Sequence, residues 1–481
     1  MISFLPSIAL LLIGLAVSAA ALREGRPTRV VLMESAAHAG GMGAGVLSIA
    51  TFASLFFGWP RVGRWFVVLL LAISLVVLLR RRSAQRPNPP ARSHRGSFWV
   101  LAVLVWVTAG LALALAGDWH IEAPGGGWDA MAIWNRNART LYRASGDWPA
   151  LLSRPSLGHP EYPLLQPAAI SAQWTLAGSE WGEIPRNLAL IFLGSLGLLS
   201  YVSAARFVPP RVALVAAAVV LATPHVSEIA RRQNADVPLA YLLLGASTGL
   251  ASLFHPQASR RLPPWMPGFF LGLLPWQKSE GKLLALVLSV AFVAVLVASD
   301  RLRGRRLSVV RGVLAGASLP VAAVLAFTWG WAPPDPLFRD PSVFFDHLMD
   351  FQRWDGAATG FLQEWNPRAR WDRWGVFWPV LGLSLLLGAR RLASTRCPVA
   401  LFLTTASLGS LLCYFVVYVA TPANQAWHME SSLHRLLLHL VPTFVCTLCV
   451  LMWPVRPAEE PVVSEDPAAA RPRRGADFEP S

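Results

Sequence analysis

Residues 281–298 read GKLLALVLSVAFVAVLVA, a run broken only by Lys282 and Ser289. A helix rises about 1.5 Å per residue, so about 20 apolar residues cross the roughly 30 Å hydrocarbon core of a bilayer. Runs near or somewhat below that length recur along the chain, at 2–22, 41–58, 64–80, 98–117, 186–204, 211–226, 237–254, 264–276, 281–298, 308–329, 375–389, 398–420 and 433–453. The first resembles a secretory signal, with small residues near Ala19, but no basic segment precedes it and it reads as a span. The pattern predicts an all-α polytopic membrane protein of about 13 transmembrane helices.

Composition agrees. Of 481 residues, 54% are hydrophobic and 14% charged, against about 25% charged in soluble proteins. That excludes a soluble enzyme, a disordered chain and a fibre. The net charge of +15 would fit either a nucleic-acid partner or a membrane protein with basic cytoplasmic loops. Placing the arginine-rich segments 80–95, 301–311, 390–396 and the tail on the cytoplasmic side fixes the remaining loops by alternation. The inner side then carries the whole positive excess, and the nucleic-acid reading loses its support. Only Lys278 and Lys282 are lysines among 42 basic residues. Cys397, Cys413, Cys446 and Cys449 lie in or beside apolar runs, where packing is expected rather than a disulfide or a zinc site.

Three parts follow. Residues 1–97 form a three-span extension and a basic cytoplasmic linker with Pro87, Pro89 and Pro90; 98–453 form the core, with outer loops 118–185 and 330–374; 454–481 form a disordered cytoplasmic tail. Both outer loops mix charge with tryptophan, a composition suited to short helices lying at the headgroup level. In WDAMAIWNRNARTLYR, residues 128–143, a 3.6-residue period puts Met131, Trp134, Ala138 and Leu141 on one face and Asp129, Arg136, Thr140 and Arg143 on another. Asp129, after Gly125, Gly126 and Gly127, is placed to cap this helix, and a rigidly held capping carboxylate can also act as a base.

Further outer-side groups are His159, Glu161 and Tyr162 in GHPEYPLLQP, Arg231 to Asp236 in RRQNAD, Lys278 and Glu280 in WQKSEGK, and His428, Glu430, His434 and Arg435 in WHMESSLHRLL. Each alone reads as boundary chemistry, since charge is inexpensive at the ends of spans. Together they put acids, cations and histidines at one face of a nearly charge-free set of spans. That suggests a site at the membrane surface, open to lipid.

The segments WDAMAIWNRNARTLYR, HPEYPLLQP, NADVPLAYLLL, LLPWQKSEG and AWHMESSLHRLLLHLVP occur in order over residues 98–453. In this order they resemble the polytopic lipid-linked-sugar glycosyltransferases of the GT-C superfamily, most nearly the bacterial branch with protein-mannosyltransferase-like or Rgt-like domains. The resemblance implies a GT-C-like fold with interfacial helices on the outer face of the cytoplasmic membrane. It further implies a polyprenyl-phosphate sugar as donor and Asp129 as catalytic base. Asp236 matches the acid after the third core span, and Lys278 the lysine after the fifth. The chain departs from many members in carrying Ala130 where they have a second acid, and in its three additional N-terminal spans.

On this reading the enzyme inverts the anomeric carbon of a sugar as an acceptor hydroxyl attacks. Lys278, Glu280, Arg435, His428 and Asp236 bind the donor phosphate or sugar, and Arg136, His159, Glu161 and Tyr162 line the acceptor cleft. The acceptor is a glycan, a lipid or a protein. No cofactor is specified; a divalent metal at Asp129, Glu161 or Asp236 is left open. Two rivals are a transporter or flippase of lipid-linked saccharides, which would place charge at the midplane and show inverted repeats, and a polysaccharide ligase or polymerase relying on Arg353, Arg368 and Arg370.

Overall fold

The computed structural model describes residues 4–22, 28–59, 68–76, 125–143, 148–152, 159–335, 339–395 and 397–453, and every regular element among them is helical. The run at 98–117, the linker with Pro87, Pro89 and Pro90, and the tail 454–481 lie outside the described residues, and of the run at 64–80 only the helical stretch 68–76 is described. The helices are α1 (Leu5–Ala21), α2 (Thr28–Phe56), α3 (Asn135–Arg143, preceded by a π-helical turn at Ala130–Trp134), α4 (Trp148–Leu152), α5 (Leu165–Ala177) and α6 (Glu183–Ala205). They continue with α7 (Pro210–Ala222), α8 (Pro224–Arg231), α9 (Asp236–Leu253), α10 (Trp265–Gln277), α11 (Glu280–Ala298) and α12 (Arg306–Gly330). The remainder are α13 (Pro341–Met349), α14 (Phe351–Trp365), α15 (Pro367–Trp374), α16 (Phe377–Thr395), α17 (Pro398–Ala420) and α18 (Gln425–Met452).

Among the described residues, 7 helices are long and apolar enough to cross a membrane, and 8 if α7 and α8 count as one broken span. The chain is a multi-pass membrane protein. The difference from about 13 has identifiable causes. The run at 211–226 is broken before Pro224, which bends α8 from α7 by 54°. The run at 264–276 yields only the 13 residues of α10, about 20 Å of helix. The first run and that at 375–389 give shorter apolar helices, Leu5–Ala21 and Phe377–Gly388.

Two spans begin earlier than their apolar runs. Helix α2 starts at Thr28 because the small residues of AAHAGGMGAG let backbones meet: a Cβ on Gly14 would lie 1.9 Å from the Ala39 carbonyl oxygen, and one on Gly43 2.1 Å from that of Leu10. Glu34 and His38, which stand between the first two apolar runs of the sequence, are therefore inside a helix and buried. Glu34 accepts from Arg206, the residue that follows α6, at 2.8 Å, and both are buried. Helix α18 starts at Gln425 rather than near 433, which carries Arg435 about 15 Å along the helix instead of at its end.

Helix α9 is the centre of the bundle. All of its residues are buried, and it packs on α6, α10, α17 and α18. Tyr241 ties it to α2 by donating to the Ala37 carbonyl at 2.8 Å while accepting from the Gly41 amide at 3.2 Å. At the end of α9 marked by Leu253, arginines cap helix ends: Arg260 donates to Arg206 O at 2.8 Å, Arg261 to His255 O at 2.6 Å and Arg306 to Val297 O at 2.8 Å. The outward faces of α11 and α12 remain apolar and exposed at Val290, Val297, Leu307 and Leu314, as lipid-facing surface requires.

The segment 339–374 folds as short helices, as its composition suggested. Asp340, Asp350 and Asn366 cap α13, α14 and α15 by accepting from the amides of Ser342, Gln352 and Arg368 at 3.0, 2.9 and 3.0 Å. Arg353 fastens this layer to the bundle through the Val419 and Thr421 carbonyls, both at 2.6 Å.

A buried pair broken on one side leaves an uncompensated charge. Arg206→Met alone is expected to lower the stability of the purified protein by roughly 3–5 kcal/mol, whereas Arg206→Met with Glu34→Leu recovers most of the loss. Thermal unfolding in detergent of the two variants beside wild type checks this.

Candidate functional site

Three chain breaks and one helix segment meet at the end of the bundle opposite the capping arginines. They are the glycine turn before α3, the turn between α8 and α9, the break between α10 and α11, and the first half of α18. Asp236 opens α9 with its side chain 1% exposed. Its Oδ1 accepts from Lys278 Nζ at 2.9 Å, and Lys278 also pairs with Glu280 Oε1 at 2.9 Å. Lys278 is in extended conformation between two helices. Gly281 permits the break to be this tight, since a Cβ there would lie 1.9 Å from the Leu274 carbonyl oxygen. Both acids sit in the first turn of their helices, where the helix dipole favours negative charge. Burial alone would push the Lys278 ammonium down; Asp236 and Glu280 outweigh it and hold the group above its ordinary value.

His439 completes the buried group. Its Nε2 lies 2.9 Å from Asp236 Oδ1, and its Nδ1 2.8 Å from the Tyr414 hydroxyl. The ionised carboxylate beside Lys278 can only accept, so Nε2 donates, and in the neutral imidazole Nδ1 then accepts from Tyr414. This fixes the tautomer by its partners.

Nearer the surface, Asp129 forms an ion pair with Arg435 of α18. Asp129 does not cap the helix. It has helical φ and ψ of −59° and −40°, makes no capping hydrogen bond, and turns its carboxylate to Arg435 instead. The π-helical turn Ala130–Trp134 adds a residue to the first turn. Trp134, Ala138 and Leu141 stay buried as expected, but Met131 rotates out and is 53% exposed.

A layer of amides supports these charges. Asn135 donates to Gln233 Oε1 (3.3 Å), Gln166 to Gln233 O (3.1 Å), and Gln277 to both Gln166 Oε1 and Ala235 O (3.3 Å each). Gln233 holds a left-handed φ of 56°, and His159 one of 60°, conformations costly for side-chain-bearing residues and concentrated here. Gly126, at φ 83°, lets the glycine turn approach Arg232, where the Gly127 amide donates to its carbonyl at 2.9 Å.

The structure thus brings together Asp129, Asp236, Lys278, Glu280 and Arg435. Tyr162 borders them, stacked on Trp134 at 5.4 Å and on His159 at 4.4 Å, while His159 Nδ1 meets Glu161 Oε1 at 2.9 Å. Burial first, then Glu280 and Glu161, hold the Tyr162 hydroxyl well above its ordinary value, so it stays neutral. His428 is held by Thr421 Oγ1 at 2.8 Å, and Arg136 donates to its neighbour Asn137 at 3.0 Å. His434 faces a different neighbour, His225, at 5.0 Å between rings. Among the described residues no group of three His, Cys, Asp or Glu side chains is placed to hold a metal ion.

His439, Tyr414, Gln166 and Gln277 were not singled out from the sequence. A signal existed for His439: residues 428, 432, 435 and 439 recur at helical spacing and share one face of α18. No family model, curated protein or solved structure matches the chain.

Lys278 has a raised folded-state pKa, so the stabilisation it contributes is present at neutral pH and is lost as pH rises beyond the ordinary lysine value of 10.5. Asp236→Asn removes one of the two carboxylates that raise it. The expected outcome is alkaline unfolding that begins at lower pH than in wild type, read from melting temperatures between pH 7 and 11.

Proposed function

We propose that the chain is an inverting glycosyltransferase with a GT-C-like architecture. It moves a sugar from a polyprenyl-phosphate donor to a hydroxyl of a cell-envelope glycan, lipid or protein at the outer face of the cytoplasmic membrane. The observation that carries this reading is the paired carboxylate Asp129, which lies at the edge of a buried Asp236–Lys278–Glu280 cluster at one end of apolar helices. Buried charges are costly unless paired, and a cluster of them among apolar helices is a candidate functional site.

The chemistry requires few groups. The anomeric carbon passes through an oxocarbenium-like state, and one carboxylate on the acceptor side suffices for inversion. Asp129 takes the acceptor proton. The leaving phosphate gains negative charge as its bond to the sugar breaks, and a cation stabilises it better than a proton donor would. Arg435 is that cation: donor phosphate replaces Asp129 on the guanidinium, which frees the carboxylate to act as base. Lys278 already serves two carboxylates, and its third N–H remains for phosphate or sugar oxygen. His439 holds Asp236, and through it Lys278. The polyprenyl chain lies along the exposed apolar faces of the spans, and His159, Glu161 and Tyr162 face the acceptor side.

The ligase or polymerase reading depends on arginines of the outer loop. Arg353 caps the end of α17, and Arg370 pairs with Glu364 at 3.0 Å, so two of its three candidates are engaged in holding the fold.

The test is a reconstituted assay with radiolabelled polyprenyl-phosphate sugars that follows release of polyprenyl phosphate. Wild type is expected to release it, and Asp129→Asn to lose about 10²–10⁴ in rate while keeping its fold, the range a positioned base supplies. Arg435→Gln is expected to raise the donor KM as well as lower kcat. Normal turnover by purified Asp129→Asn removes Asp129 as the base, and labelled lipid crossing vesicles without release favours a transporter.

A further inference from the structure

We infer that the transferred sugar is recognised through its free hydroxyls by Asn234, Gln277 and Glu280, so that the donor carries a sugar with unmodified neighbouring hydroxyls; this rests on the transferase reading. Several residues of the site carry a buried side-chain atom that no hydrogen bond reaches, among them Trp134 Nε1, Asn135 Oδ1, Asn234 Oδ1, Gln277 Oε1, Ser279 Oγ, Glu280 Oε2 and Arg435 Nε. Gln277 is fully buried and Asn234 only 6% exposed. A buried polar atom left unmatched costs stability, and a group of them in one place marks a site completed by something else.

Their chemistry specifies what that is. Gln277 cannot be turned round, because its Nε2 must donate to Gln166 Oε1 and to Ala235 O, at 3.3 Å each; its oxygen is therefore a true acceptor. One oxygen of Glu280 is taken by Lys278 at 2.9 Å, and the other is the unmatched one. Asn234 Oδ1 is a further unmatched atom of the site. A phosphate or carboxylate offers acceptors only and cannot satisfy these atoms, whereas each hydroxyl of a sugar carries a proton to give. The unmatched N–H groups of Trp134 and Arg435 belong to the other part of the site and suit oxygens of the ring and of the phosphate. The arrangement orients the donor, with its hydroxyl edge at the break between α10 and α11 and its phosphate toward Arg435.

The experiment uses the full-length protein in nanodiscs with polyprenyl-phosphate hexoses and pentoses and their single-deoxy analogues. Transfer and equilibrium binding are measured for wild type and for Glu280→Gln, which keeps the shape of the side chain. The expected result is a kcat/KM at least about a hundredfold lower for a deoxy donor that lacks a contacted hydroxyl. In Glu280→Gln that gap narrows for one deoxy donor and persists for the others, which separates loss of a single contact from general damage to the fold. Transfer from deoxy donors within about threefold of the parent in wild type overturns the inference while leaving the transferase reading intact. If no donor is transferred but binding discriminates against deoxy sugars, the hydroxyl subsite stands and the transferase reading falls. Binding that is absent, or indifferent to the missing hydroxyl, removes both.

Discussion

The ammonium of Lys278 organises the rest of the site. It lies in the gap between two apolar helices, holds the first acid of α9 and the first acid of α11 at the same 2.9 Å, and is almost wholly shielded from water. Without it two carboxylates would face each other in a region of low dielectric, which is unfavourable. With it, the N-termini of α9 and α11 can be brought together, and α18 can lay His439 and Arg435 against them. The lysine is therefore as much a structural element as a chemical one. It persists in a chain whose basic residues are otherwise, Lys282 aside, arginine, and a compact ammonium with three rotatable donors suits a gap between two carboxylates better than a planar guanidinium.

The layering of polar groups explains how such a cluster is tolerated. Amides of Asn135, Gln166, Gln233 and Gln277 lie beneath the charges and satisfy the backbone of the turn before α9. The turn itself accepts a left-handed residue, Gln233, because these hydrogen bonds over-determine it. Helices α13–α15 are capped and paired within their own layer and fastened to the bundle by Arg353, without drawing on the site residues.

How far the sequence could be read follows from where each partner lies. Asp129, Asp236, Lys278, Glu280 and Arg435 stand out because they interrupt or border apolar runs, and a membrane protein has few reasons to put charge there. His439 and Tyr414 lie within apolar runs and look like packing residues until Asp236 is seen beside them. Asp129 was readable as an important acid but not as the partner of Arg435, 306 positions away; local spacing suggests a cap, and a distant guanidinium prevailed. The span count was less legible for a related reason. Hydropathy measures apolar length, whereas α10 is short, α7 and α8 are bent apart, and α2 admits Glu34 because Arg206 meets it.

That last pair has a consequence for biogenesis. Arg206 follows Glu34 by 172 positions, so at about 5–20 residues per second it leaves the ribosome roughly ten to thirty seconds later. During that interval Glu34 lacks the Arg206 guanidinium that it accepts from in the folded protein. A carboxylate short of that partner is costly to leave at rest in the bilayer, so firm burial of α2 follows the arrival of Arg206. The first helices made are thus among the last to be locked, and assembly of the amino-terminal part is governed by the arrival of α6 rather than by its own hydrophobicity.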